Sequence, residues 1–252
     1  MSFEVAPEAY DQFMGRYSGP LAVEFADWLD VTRGQRALDV GSGPGALTAV
    51  LADRLGPASV SAVDPSAPFV DALRERLPGV TAITAAAETL PLEDASFDVV
   101  VAQLVVHFLR EPLAGITELR RVTRPGGTIA VNVWDYGGGR SPLSGFLRVL
   151  KQIDPGADDE TDRVGARSGQ LGALLREAGC RRVEESELSV TVTSPTFEDW
   201  WRPYTLGVGP AGSQLAALDA DARNEVRRRC AQLLGDGPIR TSATAWVARG
   251  LR

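Results

Sequence analysis

Short apolar runs alternate with longer amphipathic stretches through the first half of the chain. Residues 36–40 (RALDV) are apolar and stop at a glycine-rich turn, which predicts a buried strand. Ala46–Leu55 has one apolar face and predicts a helix. The alternation continues with a strand over 59–63, a helix over Ala67–Arg76, a shorter strand over 80–84 and a strand over 97–102. That last run, FDVVVA, is apolar without a break, as suits a strand covered on both faces. Residues 113–122 predict a helix whose Arg120 and Arg121 lie at the end where cations suit the helix dipole. Pro125-Gly126-Gly127 predicts a turn into a fifth strand, 128–134. Such alternation with short connections indicates an α/β protein with a doubly wound, parallel sheet.

The last third is less regular. Residues 171–178 predict a helix ending at Gly179, 183–192 a long strand, and 243–248 its antiparallel neighbour at the sheet edge. Between them, 194–238 begins with Trp200, Trp201 and Tyr204 and continues into an arginine-rich helix, Ala220–Leu234, whose arginines read as a solvated face. The first 30 residues read as helical and aromatic, with Tyr10, Phe13, Tyr17, Phe25 and Trp28. Glycines 137–139 read as a flexible joint. The pattern describes a single domain over 1–252. Its core covers about 33–135, 171–193 and 240–249, and a small helical cap is drawn from 1–30 and 194–238.

Composition narrows the partners. A chain of 252 residues suits one large α/β domain. Its net charge of −7 argues against a grip on nucleic-acid phosphates. No run of about 18 apolar residues occurs, and Met1-Ser2-Phe3-Glu4 lacks the basic and apolar regions of a secretory signal. We therefore expect a soluble, cytoplasmic protein without a membrane partner. Cys180 and Cys230 form no CxxC motif, and His107 is the sole histidine, so no metal site is expected.

The strongest local chemistry is Asp39-Val40-Gly41-Ser42-Gly43-Pro44-Gly45, set between a predicted strand and a predicted helix. Glycines there permit a tight turn and let a ligand approach the backbone. Asp64 ends the next strand about 20 residues on, where a carboxylate can accept hydrogen bonds from both hydroxyls of a ribose. The same residue can instead cap the helix that starts beyond Pro65 and Ser66. A phosphate-binding P-loop is excluded, because Ala46 and Leu47 stand where it needs Lys and Ser or Thr. The nicotinamide pattern GxGxx[GA] is met by Gly41, Gly43 and Ala46, so an oxidoreductase remains open at this point. No Tyr-x-x-x-Lys accompanies it, since the sole lysine, Lys151, has Leu147 four residues before it.

The run LDVGSGPGALT (38–48) resembles the first motif of class I S-adenosylmethionine (SAM)-dependent methyltransferases. Val63-Asp64-Pro65-Ser66 resembles their second motif, and Ala87-Glu88-Thr89-Leu90-Pro91 followed by Phe97-Asp98 resembles the adenine-side loop and fourth strand. Residues 121–127 (RVTRPGG) resemble the family's turn into strand five. The likeness is close over 33–135 and looser in the flanks, where it is to small-molecule methyltransferases, the type 11-like group. It implies a Rossmann-like, mostly parallel, seven-stranded sheet with a last antiparallel strand, and SAM as cofactor. It also implies that Gly41, Gly43 and Gly45 approach the methionine part, that Asp64 holds the ribose, and that Asp39, Ser42 and Pro65 belong to the same cofactor site. Ala87 and Glu88 would border the adenine, and Gln103 would lie beside the methionine end. The family often places Asp just before the Ala-Glu pair; here it is Ala86, so that contact to the adenine amino group is lost or supplied otherwise.

The reaction so implied moves a methyl group to an O, N or C atom of a small molecule, and no NPPY-type tetrapeptide after strand four suggests a nucleic-acid base as acceptor. The protein's part is then to position the nucleophile and exclude water. His107, just after strand four, is the candidate base, with a structural histidine as the alternative. Trp134 and Asp135 end strand five, where ligands of open α/β sheets lie. Together with Tyr10, Tyr17 and Trp201 they form the candidate acceptor pocket, with residues 10–17 and 200–209 as a lid. The competing readings are the nicotinamide oxidoreductase and a SAM-binding protein without catalysis.

Overall fold

The chain opens with helix α1 (Pro7–Tyr10), passes through a π-helical turn (Asp11–Gly15) and continues as α2 (Arg16–Leu29). Then follow β1 (Ala37–Val40), α3 (Ala46–Leu55), β2 (Val60–Asp64), α4 (Ala67–Arg76), β3 (Thr81–Thr84), β4 (Phe97–Gln103), α5 (Pro112–Val122) and β5 (Thr123–Trp134). The remainder supplies α6 (Ser144–Ile153), α7 (Gln170–Glu177), β6 (Arg181–Ser194), α8 (Phe197–Trp201), a 3-10 turn (Arg202–Leu206), α9 (Gly209–Ala217), α10 (Ala220–Leu234) and β7 (Ile239–Leu251). The computed structural model describes residues 6–235 and 237–252. The N-terminal residues weighed as a secretory signal, and the first five residues of the expected cap, lie outside the described residues.

The strands form one seven-stranded sheet in the order β3-β2-β1-β4-β5-β7-β6. The pairs from β3 through β5 are parallel, whereas β7 is antiparallel to both β5 and β6. This is the Rossmann-like α/β arrangement, with its antiparallel strand in the edge pair and β6 outermost. The charged, exposed side chains of Glu184, Glu185 and Glu187 on β6 blunt the open edge. Strand order reverses between β1 and β4, so a crevice opens beyond their carboxyl ends, the usual ligand position in open α/β sheets.

Every residue of β4 is buried, as its unbroken apolar run predicts. Val99 and Val101 join Phe25, Leu47 and Leu51 from α2 and α3 on one face. Val100 joins Ile116, Leu119, Ile129, Val131, Leu171 and Leu175 on the other.

Several expectations change. Pro125-Gly126-Gly127 is not a turn before a strand but a bulge within β5. The register jumps from Phe97↔Thr123 to Val99↔Thr128, and Gly126 adopts φ +77°. Residues 137–139 are no flexible joint. The Gly137 amide donates to the Ala166 carbonyl at 2.9 Å and the Gly138 amide to Asp135 Oδ1 at 2.8 Å. Helix α6 was not anticipated, although Leu143, Phe146, Leu147 and Leu150, all buried, carry a helical period. The second half of α2 belongs to the core rather than to the cap, because Ala22, Phe25, Ala26 and Leu29 pack under the sheet.

Candidate functional site

The glycine loop leaves β1 at the point where strand order reverses. Its Gly41 and Ser42 amides donate to the Val63 carbonyl at 2.7 and 3.1 Å, which ties the loop to the end of β2. Asp64, at that end, completes the tie: Oδ2 accepts from the Gly43 amide at 2.8 Å and Oδ1 from the Ser66 amide at 2.8 Å. Asp64 is thus both the loop's brace and the cap-like acceptor before α4. Each of its oxygens keeps further acceptor capacity.

Glycine is required at the first position. Gly41 has φ +71°, and a Cβ there would stand 2.3 Å from Cγ2 of Val105. That contact records how closely the loop passes the chain leaving β4. Asp39 lies beneath the loop, 1% exposed, and accepts from Thr48 Oγ1 at 2.6 Å. Burial pushes its carboxyl up to about 7; the Thr48 hydroxyl pulls the other way, and the nearby Asp64 carboxylate adds to the rise. Asp64 is raised too, by burial, against the pull of its two amide donors.

The adenine-side loop follows β3. Ala87 is buried, Ala86 is exposed, and Glu88 Oε1 accepts from the Arg110 amide at 3.1 Å. Pro65 is exposed beside Asp64. Gln103 ends β4 and donates from Nε2 to the Ser18 carbonyl of α2 at 3.1 Å, while its buried Oε1 has no partner.

Beyond the carboxyl ends of β4 and β5 lies a narrow cavity of about 30 Å³. Its walls are mostly aromatic and apolar, with Tyr10, Phe13, Phe108, Trp134 and Tyr136 among them, and His107 and Glu160 contribute ionisable groups. Tyr10 belongs to both regions. It lines the cavity, and its Cε1 lies 3.9 Å from where a Cβ of Gly43 would stand. Burial, then Asp64 and Asp11, raise the Tyr10 phenol above its ordinary value, so it stays a neutral hydroxyl. His107 sits in a 3-10 turn just after β4, 6% exposed, with Nδ1 unpartnered. Burial, aided by Arg163, lowers it to about 3, which keeps the imidazole neutral through the working pH range.

Three of the expected pocket residues stand elsewhere. Asp135 is 1% exposed and committed to Arg140 Nε at 2.5 Å and the Gly138 amide, so it caps its own turn. Trp201, 4% exposed, packs against Phe146 and Phe197 in the cap's interior, where its large apolar surface is removed from water. Tyr17 is fully buried in the core beside Phe13, Met14 and Leu21. The cavity takes Val208, Gly209 and Pro210 from that region instead. Glu160 was not anticipated. It sits in the acidic run Asp158-Asp159-Glu160, and only the fold shows that its third member turns inward. Among the described residues, no group of three or more His, Cys, Asp or Glu is placed to hold a metal.

Residues 38–131 match the methyltransferase domain family. An uncharacterized methyltransferase of Mycobacterium tuberculosis is 38% identical over 165 residues, which are 65% of this chain and 63% of that protein. The chain thus spans under two thirds of that relative's length. A demethylmenaquinone methyltransferase of Beutenbergia cavernae is 35% identical over 173 residues, 62% of this chain and 70% of that protein. The fold matches the crystal structure of a methyltransferase assigned to an antibiotic biosynthesis pathway of Anabaena variabilis. The TM-score is 0.62 at 22% identity, over 90% of this chain and 96% of that one. Sequence matches of this kind set aside the nicotinamide reading of the glycine loop. Family match, relatives and the sheet order reversing at a glycine loop agree: the chain belongs to the class I SAM-dependent methyltransferases.

Proposed function

We propose that this protein transfers the methyl group of SAM to an O, N or C atom of a small, largely apolar molecule. The observation that carries the reading is the shared position of Tyr10, which lies against the glycine loop at Gly43 and also lines the cavity beyond β4 and β5. A cofactor held on the loop and an acceptor held in the cavity would be neighbours.

The residues present fit the cofactor. Gly41, Gly43 and Gly45 all have positive φ and leave the backbone bare at the start of α3, where amide groups suit a carboxylate. Asp64 has acceptor capacity for the ribose hydroxyls, Ala87 and Glu88 border the adenine side, and Pro65 and Ser42 flank them. Asp39 supplies negative charge under a cationic ligand. SAM supplies an electrophilic methyl with a neutral leaving group. The chain's residues orient the acceptor, exclude water and receive any proton the acceptor loses. His107, neutral and unpartnered at Nδ1, is suited to accept or donate a positioning hydrogen bond.

The chain's two cysteines are buried, unpaired thiols, which suits a reducing cytoplasm. Among the described residues no helix is long and apolar enough to cross a membrane. Calorimetry with SAM, S-adenosylhomocysteine and NAD tests the cofactor; SAM-dependent turnover over a metabolite panel tests the activity. Binding of both sulfur ligands and neglect of NAD is expected. Binding of NAD alone would overturn the reading, and SAM binding without turnover of any panel member would favour a non-catalytic SAM-binding protein.

A further inference from the structure

The loop between α6 and α7 turns one carboxyl inward. Asp158 is exposed and Asp159 half-buried, but Glu160 is 1% exposed and lines the cavity. Its backbone is left-handed, φ +62°, a conformation unfavourable for a non-glycine residue. The Glu160 amide donates to Asp158 Oδ1 at 2.8 Å, which holds the turn. Of the five described non-glycine residues with positive φ, two, Leu104 and Glu160, line this cavity. Strain of this kind concentrates where geometry serves a function.

The carboxyl has one long ion pair and no hydrogen bond at Oε2. Arg163 Nε stands 4.0 Å from Oε2, within ion-pair range but beyond a hydrogen bond, and Arg163 Nη2 is engaged with Asp158 at 2.6 Å. Glu160 Oε2 is buried without any hydrogen-bond partner. A buried carboxyl oxygen without a hydrogen-bond partner, on a residue that lines a cavity, is costly unless a small shift lets a ligand complete it. The lining also takes the aromatic rings of Phe13, Phe108, Trp134 and Tyr136, which suit a planar ligand.

We propose, on the reading that this cavity takes the methyl acceptor, that Glu160 is the general base for a hydroxyl carried on a planar apolar ring. A neutral amine brings its own lone pair and needs no base. An aromatic hydroxyl keeps its proton at neutral pH and does need one. The hydroxyl proton passes to Glu160 Oε2 while the oxygen's electron pair forms the O–CH3 bond. The S–CH3 bond breaks with its pair left on sulfur, and the proton then leaves Glu160 for solvent. Sulfonium and hydroxyl become thioether, methyl ether and one released proton.

The groups facing Glu160 set its readiness. Burial raises its carboxyl to about 7; Arg163 lowers it and Asp158 raises it further. Tyr136, itself raised by burial and by Glu160, is a neutral phenol, as is Tyr10, and His107 is neutral. Glu160 is thus the group of the cavity that changes charge near neutral pH, whereas His107, held at about 3, is a poor proton acceptor there.

The test compares naphthol and naphthylamine, two acceptors of one shape, at saturating SAM. Wild type should methylate naphthol at oxygen, with kcat rising with pH up to about 7 and then levelling. Glu160→Gln should lower kcat by about 10²–10⁴-fold and abolish that rise. His107→Gln should retain the pH limb. SAM affinity by calorimetry should be equal in all three proteins, and loss of SAM binding by wild type would count against the methyltransferase reading rather than against Glu160. Thermal melts supply a readout apart from activity. A raised carboxyl favours the fold while protonated, so wild type should lose stability relative to Glu160→Gln between about pH 4.5 and 7. Wild-type kcat and pH profile in Glu160→Gln would overturn the proposal. So would methylation of naphthylamine alone, or of neither compound, by wild type that binds SAM.

Discussion

The Asp64 carboxylate accepts the backbone amide of Gly43 at 2.8 Å, across 21 positions of sequence. Through that bond the end of β2 holds the loop that leaves β1. A ligand hydroxyl at Asp64 would therefore meet a group already fixed in place, with no side-chain freedom left to lose on binding.

The first prediction separates the two duties of Asp64. Hydrogen bonds to a charged group contribute about 1.5–3 kcal/mol each. Asp64→Ala should weaken SAM binding at least tenfold by calorimetry and also loosen the glycine loop, seen as faster amide exchange at Gly43. Asp64→Asn keeps one acceptor oxygen and should fall between Ala and wild type. Unchanged SAM affinity in Asp64→Ala would remove the ribose role.

The second concerns the close approach of loop and strand. Gly41→Ala adds both a left-handed alanine and a clash with Val105, whereas Gly43→Ala adds the first and only an ordinary contact with Tyr10. The backbone conformation alone costs about 1–2 kcal/mol. Gly41→Ala should lower Tm clearly more than Gly43→Ala, and Val105→Ala in the same chain should recover part of the difference. Equal melting of the two single variants would mean that the loop relaxes freely.

Much of the fold was legible because its signals are local. Ala46–Leu55, Ala67–Arg76 and Ala220–Leu234 have the bounds the sequence suggests, set by Gly45, by Ser66 and Pro68, and by the Asp219 side chain that accepts the Ala222 amide. The glycine loop and Asp64 were legible for the same reason. What stayed hidden depends on contacts between distant segments. Trp201 and Val208 lie in one aromatic and apolar segment, yet only Val208 reaches the cavity, because the rings of Phe146 and Phe197 claim Trp201. Nothing within Asp158-Asp159-Glu160 marks which carboxyl turns inward. Asp135 and Arg140, five residues apart, form a pair that only the turn between them creates.

The third prediction follows from charge burial. Asp39, Asp64 and Glu160 all have raised carboxyls in the fold, mainly through burial. The folded state then prefers them protonated. Their contribution is fully present below the ordinary carboxylate value and is lost as pH rises through the folded value, about 7 for Asp39. Glu118 and Glu225 are lowered by arginine partners and act in the opposite sense only at more acid pH, whereas His107, held at about 3, acts in the opposite sense up to its ordinary value of 6.5 and offsets part of the loss there. Tm of the free protein should therefore decline from about pH 5 to pH 8, and Asp39→Asn should make that decline shallower. A cation above the loop favours ionised Asp39, so Asp39→Asn should also weaken SAM. A decline equally steep in Asp39→Asn would assign it to other groups.

The last prediction concerns access. Sites for small molecules usually enclose about 300–1,000 Å³, whereas this cavity holds about 30 Å³. Its roof is the N-terminal helix, which carries Tyr10, Phe13 and Met14. That helix changes to π geometry over Asp11–Gly15, a local irregularity of the kind often found at functional sites. It is held down by the Asp11–Arg76 ion pair at 2.7 Å and by Tyr10 against the Phe69 ring at 5.3 Å. Both members of the ion pair are substantially exposed, so the pair contributes little, roughly 0–1 kcal/mol. Beyond the π turn, α2 is fixed, with Phe25 and Leu29 in the core. On the far side Trp200 and Tyr204 are fixed as well, and only Val208, Gly209 and Pro210 edge the cavity, after a left-handed Gly207. Residues 7–15 and 207–210 should therefore be the parts that move. Hydrogen exchange should slow there when SAM and acceptor are bound, while residues 22–29 and 197–206 keep their free-state rates. Slowing across the whole of α2 would replace a local lid by a domain-wide stiffening, and equal rates in free and bound protein would leave no lid at all.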